Sequence, residues 1–502
     1  MRGFKVLMLA GGLTAWAGGA MAETTLRIGL AEDPDILDPT LARTYVGRIV
    51  FAGICDKLFD ITADLKIVPQ LATGYSWSAD NKALTVTLRS GVKFQDGEPM
   101  DAAAVKYSIE RHLKMQGSNR KAEIGAVAGV DVVDDHTVKL SLSRPFAPLL
   151  AQLTDRAGMM VSPQAAEAGG DKFGNHPVCA GPYRFVERVA QDRIVLEKFA
   201  GYWDKDNIHI DKVIYQPIPD STVRLANLRS GQLDFIERAA ATDVKSIQQE
   251  KKLQLATIVG LGYDGITINL ANGDMAKNPL GQDPRVRQAL ELSLDRDAIN
   301  QVVFEGQFLP GNQWVSPQNP YYAKSDPVPK RDVAKAKALL KAAGVLNPSF
   351  TLMVPIGPEN ELAAQVIQSM AKEAGFDVKL QVTEFARALD MSAQGKMEAF
   401  FLGWSGRTDP DGNLYSFLAC GAALNDGHYC NQEVEKELDL SRTTADPAER
   451  LKHYQAITAQ SAKDEPIIYL FHRKWIYAYS PKLSGFAPIP DGLVRVKGLT
   501  LQ

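Results

Sequence analysis

Two kinds of pattern divide this chain, and the change between them constrains the fold most. In the first half, short runs alternate polar and apolar residues: Thr25–Leu30, 84–88, Thr137–Leu142, 193–197 and 212–216. A period of two over such lengths predicts half-buried strands. Asp101 stands before a run with Val105, Ile109 and His112 on one face, which predicts a capped helix over 102–112. In the second half the period lengthens. Asp283-Pro284 is an N-cap followed by a first-turn proline, and Val286, Leu290 and Leu294 recur at helical spacing. Asp332 opens another helix holding Leu339 and Leu340, with Gly344 where a C-terminal glycine belongs. Strand 350–354, helix 361–374 and strand 378–382 follow in that order. Strand, helix, strand predicts an α/β lobe with parallel pairing. The last thirty or so residues return to strands, at 467–471 and 475–479.

The N-terminus reads as a secretory signal. Arg2 and Lys5 precede an apolar stretch at 6–17, and Ala20-Met21-Ala22 presents small residues where signal peptidase cuts. The apolar stretch is too short for a spanning helix, which needs about 20 mostly apolar residues. Cleavage after Ala22 leaves a mature chain starting at Glu23. No cysteine follows the apolar stretch to carry a lipid. The remaining length, about 480 residues, exceeds what one compact core holds and predicts two or three lobes.

Charge excludes some partners. The net charge is -3 with 23% charged residues, which gives no basic patch for nucleic acid and no polybasic membrane signal. The chain contains no HExxH, no GxSxG and no phosphate-binding GxxxxGK. No two of its seven histidines lie at i, i+4 spacing. A binding module is therefore favoured over an enzyme, with no cofactor or metal expected. Of the four cysteines, Cys420 and Cys430 enclose a short loop suited to a local disulfide. Cys55 and Cys179 either pair with each other or remain core thiols.

An ordered set of segments resembles the peptide/nickel-type solute-binding proteins of ABC importers, family 5. They are IVPQLA at 67–72 with YSW at 75–77, the run 84–97 ending RSGVKFQDG, Asp101 with VKYS at 105–108, AGPY at 180–183, GYW at 201–203, RVRQAL at 285–290, AKAKALL at 334–340, and 404–413. They span nearly the whole mature chain, and the dipeptide-binding branch is the nearest resemblance. It implies an α/β fold of the periplasmic binding protein type II, large peptide-binding class, with two lobes and a ligand cleft between them. The implied division is 1–22 signal peptide, 23–268 lobe I with an extra subdomain, 269–473 lobe II, and 474–502 returning to lobe I, with crossovers near 267–269 and 472–474. It implies a monomeric periplasmic receptor that delivers a small solute to a membrane permease. Dipeptides, oligopeptides, glutathione and amino-acid conjugates are the expected solutes. A nickel-chelate or haem carrier is the alternative within the family, and an exported hydrolase or chaperone-like protein the alternative outside it.

The loop 403–413, GWSGRTDPDGN, follows an apolar strand and combines an aromatic ring, exposed glycine backbone, a cation and two carboxylates. By resemblance Asp409 is expected to pair with a ligand ammonium group, and Trp404 to wall the cleft beside Ser405 and Gly406. Asp409 also reads as the cap of a helix starting at Pro410. The dipeptide branch places a carboxylate-binding arginine after a strand. Here the matching stretch, 354–360, has none, and it contains Glu359. Arg407 is the candidate replacement, against the plainer reading of a surface arginine. Tyr45 is expected to face the cleft. The Cys420/Cys430 spacing also resembles that branch, which has a disulfide at the matching place.

Overall fold

The computed structural model describes residues 23–502; the expected signal segment, 1–22, lies outside the described residues. Three sheets organise it. A seven-stranded sheet runs in the order Gln254–Val259, Lys474–Tyr479, Phe235–Ile236, Thr25–Leu30, Lys212–Pro217, Arg193–Lys198, Tyr183–Val189. Thr25–Leu30 lies at its centre, parallel to both Lys212–Pro217 and Phe235–Ile236. A six-stranded sheet runs Leu309–Pro310, Ile467–His472, Tyr263–Ile268, Ala399–Trp404, Ser349–Pro355, Asp377–Thr383. Its Ser349–Pro355 and Asp377–Thr383 strands are parallel, joined through the helix Pro358–Ala374. A four-stranded antiparallel sheet, Ala72–Trp77, Ala83–Leu88, Thr137–Leu142, Val127–Asp134, forms a subdomain with its own apolar core around Leu84, Val86, Val105 and Leu140. This is the two-lobed α/β architecture, with the large sheets at the centres of the lobes.

Local chemistry sets the helix starts. Asp101 accepts from Ala104 N at 3.0 Å and opens Ala102–Lys114. Asp283 accepts from Arg285 N at 2.8 Å and opens Pro284–Ser293, while Asp332 accepts from Lys335 N at 2.8 Å and opens Val333–Ala342. Each aspartate satisfies an amide that the first helical turn leaves without a partner. Gly344, two residues past the last of these helices, takes φ +75°, a left-handed conformation that costs other residues more.

The chain passes between the two large sheets twice. Gln254–Val259 belongs to the seven-stranded sheet and Tyr263–Ile268 to the six-stranded one, so the first passage occurs at 260–262, ahead of the expected 267–269. The second falls between Ile467–His472 and Lys474–Tyr479, at Arg473. Cys55–Cys179 and Cys420–Cys430 are both disulfides. Among the described residues no helix is long and apolar enough to cross a membrane.

Candidate functional site

The cleft between the lobes is built from the ends of strands. Glu32 follows Thr25–Leu30, Arg238 follows Phe235–Ile236, Trp404 ends Ala399–Trp404, and Arg473 occupies the second passage between sheets. In open α/β sheets these strand ends are where side chains from several elements converge on a ligand. Here they enclose about 940 Å³ of space continuous with solvent.

Charges of both signs line it. Arg238 Nη2 donates to Glu32 Oε1 at 2.8 Å and its Nε to Glu237 Oε2 at 2.7 Å. Arg473 Nη2 donates to Asp264 Oδ1 at 2.6 Å. Burial works against both guanidinium charges, but the neighbouring carboxylates hold their pKa values above the usual arginine range. Glu359, in the first turn of Pro358–Ala374, accepts from Ala241 N across the cleft at 3.0 Å. Burial raises the Glu359 carboxyl, and it raises Glu32 despite Arg238. Among the described residues, Nη1 of Arg238, Nη1 of Arg473 and Oε2 of Glu359 have no hydrogen-bond partner. The cleft therefore offers two cationic ends and one carboxylate oxygen that the protein leaves uncommitted. Arg238 also sits at φ +47°, a conformation that costs a non-glycine residue energy and is concentrated at functional sites.

The walls are aromatic. Tyr45 stacks on Trp475 with ring centroids 4.6 Å apart and planes 10° from parallel. Gly492 fixes this pair, its carbonyl accepting from the Tyr45 hydroxyl, and Pro490 O accepts from Trp475 Nε1 at 3.1 Å. Trp404 donates to Asn413 Oδ1 at 3.0 Å and packs edge-on against Phe417. Beyond Tyr45 and Trp404 the cleft continues into a second hollow of about 600 Å³ with a mainly apolar lining that includes Tyr263, Phe385, Leu389 and Phe417.

The residues expected from sequence divide into two groups. Tyr45, Trp404 and Ser405 line the cleft. Gly406, Arg407 and Asp409 are not among its lining residues. Gly406 packs at φ +85° against the backbone of Leu261 and Gly262. Arg407 is buried, with Nε 2.8 Å from Asp155 Oδ2 and its guanidinium carbon 4.3 Å above the Trp404 ring. Asp409 accepts two hydrogen bonds from Arg450 and also accepts from Asp411 N at 2.9 Å, at the start of helix Asp411–Leu418. Sequence reasoning missed Glu32, Arg238 and Arg473 and noted Glu359 only as part of the stretch that lacks an arginine. Their one visible signal was position immediately beyond strand-like runs.

Residues 66–425 match the family described as bacterial extracellular solute-binding proteins, family 5 Middle. The glutathione-binding protein GsiB of Pectobacterium atrosepticum is 32% identical over 471 residues, covering 91% of this chain and 90% of the relative. That of Salmonella typhimurium is 31% identical over 504 residues, covering 97% and 96%. Among solved structures, AgaA from A. tumefaciens in complex with agropinic acid superposes with a TM-score of 0.87 at 28% identity, over 95% of this chain and 99% of that one. A dipeptide-binding protein from Pseudoalteromonas sp. SM9913 in complex with Met-Leu shares the fold, with a TM-score of 0.87 at 22% identity, over 95% and 100%. The nearness to the dipeptide branch expected from sequence is thus replaced by a broader placement, since these curated relatives bind glutathione. The chain belongs to family 5 of the bacterial extracellular solute-binding proteins, and it is a solute-binding protein rather than an enzyme.

Proposed function

We propose that this protein is the monomeric periplasmic receptor of an ABC importer and captures a small peptide-like zwitterion, an amino-acid conjugate or short peptide of the size of glutathione. One observation carries the choice of solute: the cleft holds uncommitted cationic and carboxylate groups together, at Arg238, Arg473 and Glu359. A solute with carboxylate and ammonium ends complements both. Its carboxylate meets Arg238 or Arg473, which replace the arginine missing from 354–360, and its ammonium group meets Glu359 or Glu32. The Tyr45–Trp475 stack and Trp404 cover its apolar body, and the second hollow takes a side chain. Glu359 already reaches Ala241 across the cleft, so a solute held there favours the closed arrangement, the state a membrane permease would read. The division proposed for the chain is a leader at 1–22, a first lobe interrupted by the second, and a return through Arg473.

The test is calorimetric titration with glutathione, dipeptides and amino-acid conjugates, each also with its carboxylates esterified or its amine acetylated. The free zwitterion should bind, and blocking either end should weaken it. Arg473→Gln and Arg238→Gln should each weaken binding by about 10- to 100-fold, the loss of a charge-assisted hydrogen bond of about 1.5–3 kcal/mol. Equal affinity for free and blocked solutes would overturn the reading.

A further inference from the structure

Outside the lining of the cleft, at the contact between the lobes, lies a buried charge cluster that the proposed solute does not explain. Arg48 comes from helix Tyr45–Ile54, Arg120 and Glu123 from the segment around Lys121–Ile124, Asp155 and Arg156 from the 3-10 turn at Arg156–Gly158, and Arg407 from the other lobe. All six are between 1% and 8% exposed. Four guanidinium groups thus face two carboxylates, with an excess of two positive charges.

The internal bonds do not remove that excess. Asp155 is shared: its Oδ2 lies 2.8 Å from both Arg48 Nη2 and Arg407 Nε, and its Oδ1 accepts from Arg156 N at 2.6 Å. Arg120 pairs with Glu123. Arg156 Nη1 and Arg120 Nη2 donate to the same carbonyl, Ala42 O, at 2.7 and 3.2 Å. The neighbouring Arg111 and Asp38 pair with each other at 2.6 Å and cancel. Nε of Arg120, Nε of Arg156 and Nη2 of Arg407 are buried N–H groups with no acceptor. On the acceptor side, Asp155 Oδ2 meets its two arginines as ion pairs without hydrogen-bond geometry, and Glu123 Oε2 is unpartnered. A water between it and one of these donors would satisfy two groups, yet leave the charge as it was.

Burying unpaired charge is costly, and arginine does not relieve the cost by giving up its proton. Burial, with Arg48 next, pulls Arg407 down to about 10, and burial and Arg120 together weaken the charge of Arg156. What relieves such a cluster is a counter-charge. We propose that these four arginines form a binding site for a small anion, completed when the closing lobes bring Arg407 against Asp155. The anion is either inorganic, of halide size, or a carboxylate group of the captured solute. The second source is within reach because Arg48 Nη1 donates at 3.0 Å to Ser405 Oγ, and Ser405 lines the cleft. The site stands whichever solute the cleft takes.

Solute-bound crystals grown without chloride and soaked in millimolar bromide test this by anomalous scattering. A bromide peak within hydrogen-bonding distance of two or more of Arg48, Arg120, Arg156 and Arg407 supports the site with an inorganic source. A solute carboxylate in that position, with bromide absent, supports it with the solute as source. Water alone among the four guanidinium groups, or bromide entering only at molar concentration, overturns the proposal. Arg156→Gln crystals, where the variant folds, should lose at least half of the bromide occupancy; the wild-type measurement decides the matter by itself where it does not.

Discussion

Arg450 donates to both carboxylate oxygens of Asp409, Nη2 to Oδ1 at 2.6 Å and Nη1 to Oδ2 at 2.7 Å. The pair is largely buried, and Arg450 is held further by Tyr454 Oη at 2.6 Å and Ser441 O at 3.1 Å. Asp409 thus anchors the loop that carries Trp404 to the helix Pro447–Asp464. Asp409→Asn should lower the unfolding free energy by about 3 kcal/mol, since removing one partner strands the other's charge. Solute affinity should stay within about twofold, because this pair stands outside the cleft. Denaturant unfolding and calorimetric titration of the same protein check both halves. A large loss of affinity at unchanged stability would return Asp409 to the ligand.

This pair also marks where sequence legibility ends. The caps at Asp101, Asp283 and Asp332 were readable because an aspartate and the amide it accepts from lie two or three residues apart. The parallel strands of the second lobe were readable from apolar runs separated by a helical period. Trp404, Ser405 and Tyr45 were placed in the cleft by resemblance and do line it. The partner of Asp409 is 41 residues away, and local pattern carries no information about which face of a later helix will meet it. The cleft charges are more distant still: Glu32 and Arg238 are 206 residues apart, Asp264 and Arg473 209. Topology brings them together, because their strands end at the same edge. Arg407 was expected to be a ligand cation or a surface residue, and its burial against Asp155 depends on contact between lobes.

The two disulfides should differ in weight. Cys420–Cys430 closes a loop with a sequence separation of 10 and Cys55–Cys179 one of 124. Chain-entropy reasoning gives about 3 kcal/mol for the first and about 5 for the second. Cys430→Ser paired with Cys420→Ser should therefore cost less than Cys55→Ser paired with Cys179→Ser. Denaturant midpoints of the two double variants measure the order, and the reverse order would show that native packing, rather than loop closure, sets the cost.

Two buried histidines should each withdraw stability from the fold as pH falls below neutral. Burial lowers the pKa of His112 from 6.5 to about 3 and of His472 from 6.5 to about 4. A histidine whose folded pKa is depressed stabilises the fold above its unfolded value and loses that contribution as pH falls towards the folded one. Asp56 runs the other way, raised by burial from 3.8 to about 6, and its contribution is lost as pH rises through that window. Between about pH 4 and 6 each histidine withdraws its share on acidification, while Asp56 and the other carboxyls that burial raises, Glu32, Glu359 and Glu465 among them, act in the opposite sense. The sign of the His472 share is therefore fixed, and it is read as the difference between wild type and a variant without that imidazole. His472→Asn, whose amide N–H still donates to Gly262 O, should lose less stability on acidification than the wild type. Unfolding followed across pH 4–7 in both proteins checks this, and parallel curves would remove His472 from the account.

Gly406 should be intolerant of any side chain, with consequences on both sides of the passage between sheets. It sits at φ +85°, where other residues are strained, and a Cβ would meet Leu261 C at 2.3 Å and Gly262 N at 2.4 Å. Those atoms are backbone, so the clash cannot be relieved by turning a side chain. Gly262 is itself closed in, since its own Cβ would meet Trp404 O at 1.6 Å. The two glycines let the loop 403–413 lie directly on the first passage between the lobes, and that contact sets where Trp404 and Ser405 stand in the cleft. Gly406→Ala should then push the loop away from 260–262. Stability should drop by about 2 kcal/mol or more, the usual range for strain combined with backbone clash. Solute affinity should fall as well, although Gly406 contacts no solute, because Trp404 and the Arg48–Ser405 bond move with the loop. Unfolding and titration on the same preparation separate the two effects. A variant that loses stability while binding normally would show that the loop positions Trp404 without help from this contact.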